Sequence, residues 1–140
     1  MLEIGMICAE AGEKIARVSA NMAMAADMEV RASSTATTGA YSSACQRGLP
    51  AILMERGGGG RFTDSEVQAY KQDVKNIMIR MGLLSGEEVH TVQQKNVTRA
   101  EYLEAETDGL WYPVFSAGDT FAGGAVLGTV RDIWGNLLLE

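Results

Sequence analysis

The chain has 140 residues, 46% of them apolar, which is enough for one hydrophobic core or two small ones. Twelve basic and eighteen acidic residues give a net charge of −6, which argues against nucleic acid or an anionic membrane as a partner. No apolar segment is long enough to span a bilayer, and no secretion signal is recognisable. Cys8 and Cys45 fit reduced thiols, so we expect a cytoplasmic protein.

The first forty residues predict strand, helix, strand and loop in that order. Residues 1–9 are apolar with one charge, as in a short strand or an irregular N-terminus. Apolar residues recur at steps of three and four through residues 11–27, which predicts a helix. Residues 28–32 alternate between apolar and charged, as in a half-buried strand, and the hydroxyl-rich residues 33–40 predict a loop.

The segment 41–60 carries the clearest chemical signal. A short helix and a Gly-x-Pro turn lead into the apolar run 51–54, which predicts a buried strand. The strand ends at the carboxylate of Glu55 and is followed by four glycines, which we interpret as a strand-to-helix connector. Because open α/β sheets place their chemistry at strand ends, Glu55 is either a catalytic group or a structural residue paired with Arg56.

The next segment predicts the most clearly delimited helix. Thr63 and Glu66 form a capping box, and Gly82 marks the end of the helix. One apolar stripe is predicted to face the core: Val67, Tyr70, Val74, Ile77 and Met81. The alternation of helices and strands up to this point predicts an α/β layer with a largely parallel sheet.

Composition changes after Leu84, where we predict a domain boundary. Residues 85–97 are polar and are interpreted as a linker or a crossover. From Thr98 onward, short strand candidates alternate with glycine turns, which predicts a small barrel or sandwich. The predicted domains are therefore 1–84, an α/β domain, and 85–140, a linker followed by a small β-rich domain.

Several motifs occur together along the chain. In the first half they are residues 38–44, 47–55, the glycines 57–60 and the helix up to residue 84. In the second half they are residues 108–113, 117–119, 123–124, 127–128 and 132–136. Together they resemble the C-terminal portion of the succinylglutamate desuccinylase and aspartoacylase family of zinc-dependent deacylases. The resemblance implies a partial carboxypeptidase-like mixed sheet with helices, followed by a small β-rich, barrel-like domain.

The resemblance also implies a function. Members of this family remove an acyl group from an N-acyl amino acid or a related amide, with zinc as the cofactor. By position, Glu55 is implied to be the general base that takes a proton from the attacking water and passes it to the leaving amine. Tyr41, Ser42 and Ser43, which precede the Gly-x-Pro turn, are the implied substrate-binding residues.

The zinc ligands of the family have no counterpart ahead of Glu55. In the family a His-x-x-Glu pair and a second histidine hold the metal upstream of the base, whereas His90 follows Glu55 here. We therefore assign no metal ligand and expect the isolated chain to be inactive. The alternative function is that of a non-catalytic fragment or interaction module that retains the fold.

A partial domain should leave a sheet edge uncovered, so we expect self-association or association with a missing N-terminal segment. Size-exclusion chromatography with light scattering should then show a dimer or a larger species of the purified chain. A well-folded monomer would show that the sheet edge is not open.

Overall fold

The computed structural model describes residues 3–8 and 11–140 and separates into two compact units, one ending at Ala100 and the other beginning at Glu101. The sequence prediction placed this division after Leu84. The division falls later because the short strand Lys95–Val97 hydrogen-bonds into the sheet of the first unit. The polar segment 85–97 is therefore a crossover within that unit.

The first unit is built on a four-stranded mixed sheet. Its strands are β1 (Ile4–Cys8), β2 (Val30–Ser34), β3 (Ile52–Glu55) and β4 (Lys95–Val97), in the order β3-β1-β2-β4. β1 runs parallel to β2 and antiparallel to β3, and β2 runs parallel to β4. β1 confirms the strand alternative for the N-terminal segment, of which residues 1, 2 and 9 lie outside the described residues.

Helices flank this sheet at the predicted places. In the part of the chain that the structure describes they are α1 (Glu13–Ala25), α2 (Ala40–Gln46) and α3 (Asp64–Arg80). α1 packs on both α3 and β1, and its Ala23 and Ala25 are fully buried. Small side chains at these positions let the helix approach its neighbours closely. Within the same residues, none of the helices has the length and apolarity needed to cross a bilayer.

Both ends of α3 are capped by the residues from which the helix was predicted. The hydroxyl of Thr63 accepts a hydrogen bond from the Glu66 N–H at 3.2 Å, and the Glu66 carboxylate accepts one from the Thr63 N–H at 2.7 Å. At the other end Gly82 adopts a φ of 73°, and the Leu83 N–H donates to the Met78 carbonyl at 2.8 Å. The capping box and the glycine stop are thus confirmed.

The face that α3 buries differs from the predicted apolar stripe. Val74 and Met81 are 47% and 41% exposed, whereas Asp73 and Asn76 are fully buried. The prediction was wrong for Val74 and Met81, whereas Val67, Tyr70 and Ile77 are half-buried. Hydrophobic periodicity does not register a polar side chain that finds partners in the interior. The Asn76 amide donates to the Val89 carbonyl at 2.7 Å, and its oxygen accepts from the Val89 N–H at 3.0 Å. These bonds attach the crossover to α3.

Asp73 is buried because it pairs with Arg56, the residue that follows β3. Arg56 Nε donates to Asp73 Oδ2 at 2.8 Å, and Nη2 donates to Oδ1 at 3.0 Å. The same guanidinium donates to the Asp27 carbonyl at 2.7 Å and pairs with Glu3, just ahead of β1. Burial alone would lower the pKa of Arg56, but its hydrogen bonds to Asp73 and Glu3 outweigh this effect and raise that pKa.

Asp27 links this ion pair to the crossover. Its N–H donates to Asp73 Oδ1 at 2.8 Å. Its own carboxylate accepts from the Thr91 N–H at 2.8 Å, from the Thr91 hydroxyl at 2.6 Å and from the Val92 N–H at 3.1 Å. Burial would raise the pKa of Asp27, but these donors outweigh it and the pKa is lowered. The charged carboxylate therefore holds the crossover against the turn between α1 and β2.

The second unit confirms the predicted β-rich C-terminal region. Its strands β5 (Leu110–Pro113), β6 (Gly128–Arg131) and β7 (Leu137–Leu139) form a three-stranded antiparallel sheet in the order β5-β6-β7. Asp132 closes the turn between β6 and β7. Its carboxylate accepts from the Asn136 side-chain amide at 2.7 Å and from the Trp134 N–H at 2.8 Å. These hydrogen bonds, led by that of Asn136, lower the pKa of Asp132.

Replacing one half of the buried ion pair should destabilise the first unit strongly. In Asp73→Asn the guanidinium of Arg56 stays buried but loses a charged partner, so we expect the free energy of unfolding to fall by about 3–5 kcal/mol. Urea denaturation followed by circular dichroism measures this loss. The matched control Asp64→Asn, at an exposed position in the first turn of α3, should cost at most about 1 kcal/mol. Equal losses of unfolding free energy in the two variants would contradict a large contribution of the Arg56–Asp73 ion pair to stability.

Candidate functional site

Glu55 is the last residue of β3, and its side chain is exposed to solvent. In the sheet register it lies opposite Ile4 of β1. Within the residues that the structure describes, its carboxylate has no hydrogen-bond or ion-pair partner. The predicted structural alternative, an ion pair with Arg56, does not form, because Arg56 pairs with Asp73 and Glu3 instead. The Glu55 carboxylate is therefore open to water and to a bound ligand.

The backbone on both sides of Glu55 is held by Tyr70 of α3. The Arg56 N–H donates to the Tyr70 hydroxyl at 2.8 Å, and that hydroxyl donates to the Met54 carbonyl at 3.2 Å. The Arg56 guanidinium also lies 5.9 Å from the centroid of the Tyr70 ring, within reach of a cation–π contact. The end of β3 is thus fastened to α3 through both the backbone and the side chain of Arg56.

The glycine run after Glu55 forms a tight turn between β3 and α3. Gly57, Gly59 and Gly60 have φ angles of 71°, 64° and 69°, and Gly58 pairs with Arg61 in an antiparallel bridge. A Cβ on Gly57 would lie 3.0 Å from Glu66 Oε1 and 3.3 Å from the Arg61 carbonyl oxygen. At Gly57 both the backbone angle and the available space therefore require glycine.

The predicted substrate-binding residues lie together at the start of α2, but their surroundings differ. Tyr41 lines a pocket of about 450 Å³. The other lining residues come from α2, the residue before it and β3 with its preceding residue: Gly39, Ala40, Ala44, Ala51, Ile52 and Leu53. Ser42 is fully buried, and its hydroxyl has no hydrogen-bond partner among the described residues. Ser43 is half-buried.

The pocket and Glu55 lie at opposite ends of β3. The lining contributed by β3 ends at Leu53, two residues before Glu55. Because side chains alternate between the two faces of a strand, Leu53 and Glu55 project from the same face. Ile52 also lines the pocket, so both faces of the start of β3 contribute to it, and Glu55 at the other end of the strand is not among the lining residues. The volume of the pocket is in the range of small-molecule sites.

The described residues do not fit the zinc ion that the resemblance implies. Among residues 3–8 and 11–140, no three His, Cys, Asp or Glu side chains form a group that could hold a metal. His90 instead lies 2.9 Å from Glu88 Oε2, and Glu88 also pairs with Arg80. The hydrogen bond from Arg80, more than that from His90, lowers the pKa of Glu88 to about 2. His90 therefore belongs to an ion-pair cluster on the crossover.

The second unit contains a separate apolar cavity of about 400 Å³. Its lining includes Trp111 of β5, Val130 of β6 and Leu139 of β7. None of the residues predicted to act in catalysis or substrate binding lines it. Trp111 lines this cavity with 56% of its surface exposed, and its ring lies against Gly128 of the neighbouring strand.

Solved structures of deacylase-fold proteins share this fold. Succinylglutamate desuccinylase/aspartoacylase from Rhodobacter sphaeroides matches 95% of the chain at 19% identity with a TM-score of 0.78. The product-bound ectoine utilization protein EutE from Ruegeria pomeroyi matches 94% at 20% identity with a TM-score of 0.80. An aspartoacylase family protein from Mesorhizobium loti matches 94% at 21% identity with a TM-score of 0.70. No protein-family profile and no curated protein matches the sequence.

These structures confirm the resemblance drawn from the motifs at the level of the fold. The chain has the mixed α/β architecture of succinylglutamate desuccinylase and aspartoacylase structures, together with their β-rich region. It spans about two fifths of their length, 42% in the Rhodobacter sphaeroides and Ruegeria pomeroyi structures and 40% in that from Mesorhizobium loti. This coverage is consistent with a C-terminal portion of the deacylase fold.

Sequence reasoning missed the residues that hold Glu55 in place. Tyr70 was assigned to an apolar stripe, Asp73 was given no role, and Arg56 was considered only as a partner of Glu55. One signal was present, because Asp73 follows Tyr70 by three positions and therefore lies on the same face of α3. Nothing in the local pattern, however, indicates that this face contacts Arg56.

The turn after Glu55 should tolerate a side chain at Gly60 better than at Gly57. Both alanine substitutions carry the cost of a positive φ, about 1–2 kcal/mol. Gly57→Ala should lose roughly 1–3 kcal/mol more, because its methyl group meets Glu66 and the Arg61 carbonyl, whereas nothing lies within 4 Å of a Cβ on Gly60. Thermal unfolding followed by calorimetry compares the two. Equal losses would contradict the tight packing inferred at Gly57.

Proposed function

We propose that this chain forms the base-bearing part of an amide hydrolase that removes an acyl group from an N-acyl amino acid or a related amide. The observation that carries the proposal is the placement of Glu55. It is an exposed carboxylate at the end of a strand whose first residues line a pocket, on a chain that shares the fold of deacylase structures over 94–95% of its length.

The proposed role of Glu55 is that of general base and then general acid. Its carboxylate accepts a proton from water as the water oxygen forms a bond to the amide carbonyl carbon. The same proton then passes to the amine nitrogen as the carbon–nitrogen bond breaks. The products are the carboxylic acid and the free amine, and Glu55 returns to its ionised form.

The pocket at the start of β3 is the proposed substrate site. Its apolar lining from α2 and β3 suits the hydrocarbon part of an acyl group, and the Tyr41 hydroxyl offers a hydrogen bond to a polar end. Ser43 is a further proposed contact, because it is half-buried in the same turn of α2. Ser42 is included because its buried hydroxyl lacks a partner among the described side chains.

Zinc enters this proposal only as the cofactor that the resemblance implies. The described residues offer no group of three ligands, so the metal would need other ligands and no step is assigned to it. The same observation favours the second candidate function, a non-catalytic interaction module that retains the deacylase fold. A cytoplasmic location is likewise proposed from the two cysteines, which fit a reducing compartment.

A deacylase assay with metal analysis separates the two functions. The purified chain is incubated with a panel of N-acetyl and N-succinyl amino acids, with and without added zinc, and release of the free amine is measured. For any substrate that the chain turns over, we expect Glu55→Gln to lower kcat by roughly 10²–10⁴-fold, because the amide of glutamine cannot accept the proton. Glu13→Gln, at an exposed position in the first turn of α1, is the matched control and should leave kcat unchanged.

Each outcome of this assay decides between the candidates. Turnover that is lost in Glu55→Gln and kept in Glu13→Gln supports the hydrolase. Turnover that is equal in the wild type and Glu55→Gln overturns the role of Glu55. A folded wild-type chain that binds no zinc and releases no amine supports the interaction module.

A further inference from the structure

The end of β3 lies at an edge of the sheet, where a strand has one neighbouring strand instead of two. β1 is that neighbour. Backbone groups alternate in direction along a strand, so the Met54 carbonyl and the Arg56 N–H point to the same side while Glu55 lies between them. A buried or half-buried backbone group needs a hydrogen-bond partner, and at an edge no strand supplies one.

The Tyr70 hydroxyl is the hydrogen-bond partner of both backbone groups. It accepts from the Arg56 N–H at 2.8 Å and donates to the Met54 carbonyl at 3.2 Å. One side chain thus fixes the peptide groups that flank Glu55 on either side. The backbone angles of Glu55, and with them the direction of its Cα–Cβ bond, are set between these two anchored peptides.

The anchor is itself rigid. Tyr70 is half-buried on α3, and one turn later on that helix Asp73 holds the Arg56 guanidinium in a bidentate ion pair. The amide and the side chain of Arg56 are therefore both held by the same helix. Because α3 begins at a capping box and ends at a glycine stop, the hydroxyl of Tyr70 is carried on a fixed element and not on a loop.

We propose that Tyr70 is a positioning residue for Glu55, which rests on the proposed role of Glu55 as general base. A general base must lie within hydrogen-bond reach of the proton that it accepts, and an error of about 1 Å in its placement can cost about a hundredfold in rate. Tyr70 does not reach the reacting atoms. It acts by holding the backbone at the edge of the sheet, where no neighbouring strand does so.

The variant Tyr70→Phe tests this role with little disturbance of packing. It keeps the aromatic ring and the ring's contact with the Arg56 guanidinium, and it removes only the hydroxyl. Tyr102→Phe is the matched control, because Tyr102 is 89% exposed and lies in the second unit. The two variants make the same chemical change at a bonded and at a solvent-exposed tyrosine.

The first measurement is amide hydrogen exchange followed by NMR, which needs no activity. The Arg56 amide should be protected in the wild type and should exchange about tenfold faster in Tyr70→Phe. The amides that pair β1 with β2 should keep their exchange rates. The backbone order parameter of Glu55 should also fall in Tyr70→Phe and stay unchanged in Tyr102→Phe. An Arg56 amide that exchanges freely in the wild type, or equally in both variants, overturns the proposal.

The second measurement is steady-state kinetics on the substrate that gives turnover in the deacylase assay. Tyr70→Phe should lower kcat by about 10–100-fold and leave KM within about twofold. The reason is that the Glu55 carboxylate, which would lose its position, takes part in the reaction and not in substrate binding. A rise in KM with unchanged kcat, or unchanged kinetics, overturns the positioning role.

The two proposals fail in distinguishable ways. A wild-type chain without turnover supports the interaction module, in line with the missing zinc ligands, and the exchange rate of Arg56 and the order parameter of Glu55 then decide whether Tyr70 positions this strand end. Conversely, a chain in which Glu55→Gln abolishes turnover while Tyr70→Phe changes neither kcat nor the Arg56 exchange rate retains the function and overturns the role of Tyr70.

Discussion

The buried guanidinium of Arg56 is the constraint on which the first unit depends. Its side chain is 4% exposed and that of its partner Asp73 is fully buried, so both charges have left water and must be satisfied inside the protein. The acceptors come from α3, from Glu3 ahead of β1, and from the Asp27 carbonyl between α1 and β2. The full set exists only when these elements have docked, so the ion pair couples the end of β3 to the rest of the unit.

This polar network matters because few large apolar side chains are fully buried. Among the residues whose burial the structure describes, the largest fully buried side chains include two apolar ones, Met28 and Cys45, and four polar or charged ones: Asn76, Asp73, Ser19 and Ser42. Cys45 and Ser19 make a second set of contacts. The Cys45 thiol donates to the Ala51 carbonyl at 3.4 Å, and the Ala51 N–H donates to the Ser19 hydroxyl at 3.1 Å. β3 is thus held near both ends by side chains from neighbouring helices.

The same arrangement gives the candidate site its form. The carboxylate of Glu55 is exposed to solvent. The backbone on both sides of Glu55 is held by the hydrogen bonds of Tyr70 to the Arg56 N–H and the Met54 carbonyl. A catalytic group gains from such a combination, since it must meet solvent and substrate without losing its orientation. A fold can nevertheless carry many functions. The proposed hydrolase function therefore rests on Glu55 and on the pocket at the start of β3, and the shared fold alone does not establish it.

Local signals in the sequence determined the helices, the strand that ends at Glu55 and the stops of α3, because caps, glycines and hydrophobic periods act over a few residues. The motifs of both halves of the chain, taken together, indicated the deacylase fold. Only the tertiary structure decided that Arg56 pairs with Asp73, that Tyr70 braces the end of β3, and that β4 joins β2. These contacts join residues far apart in the chain, and no local sequence pattern predicts which of them pair.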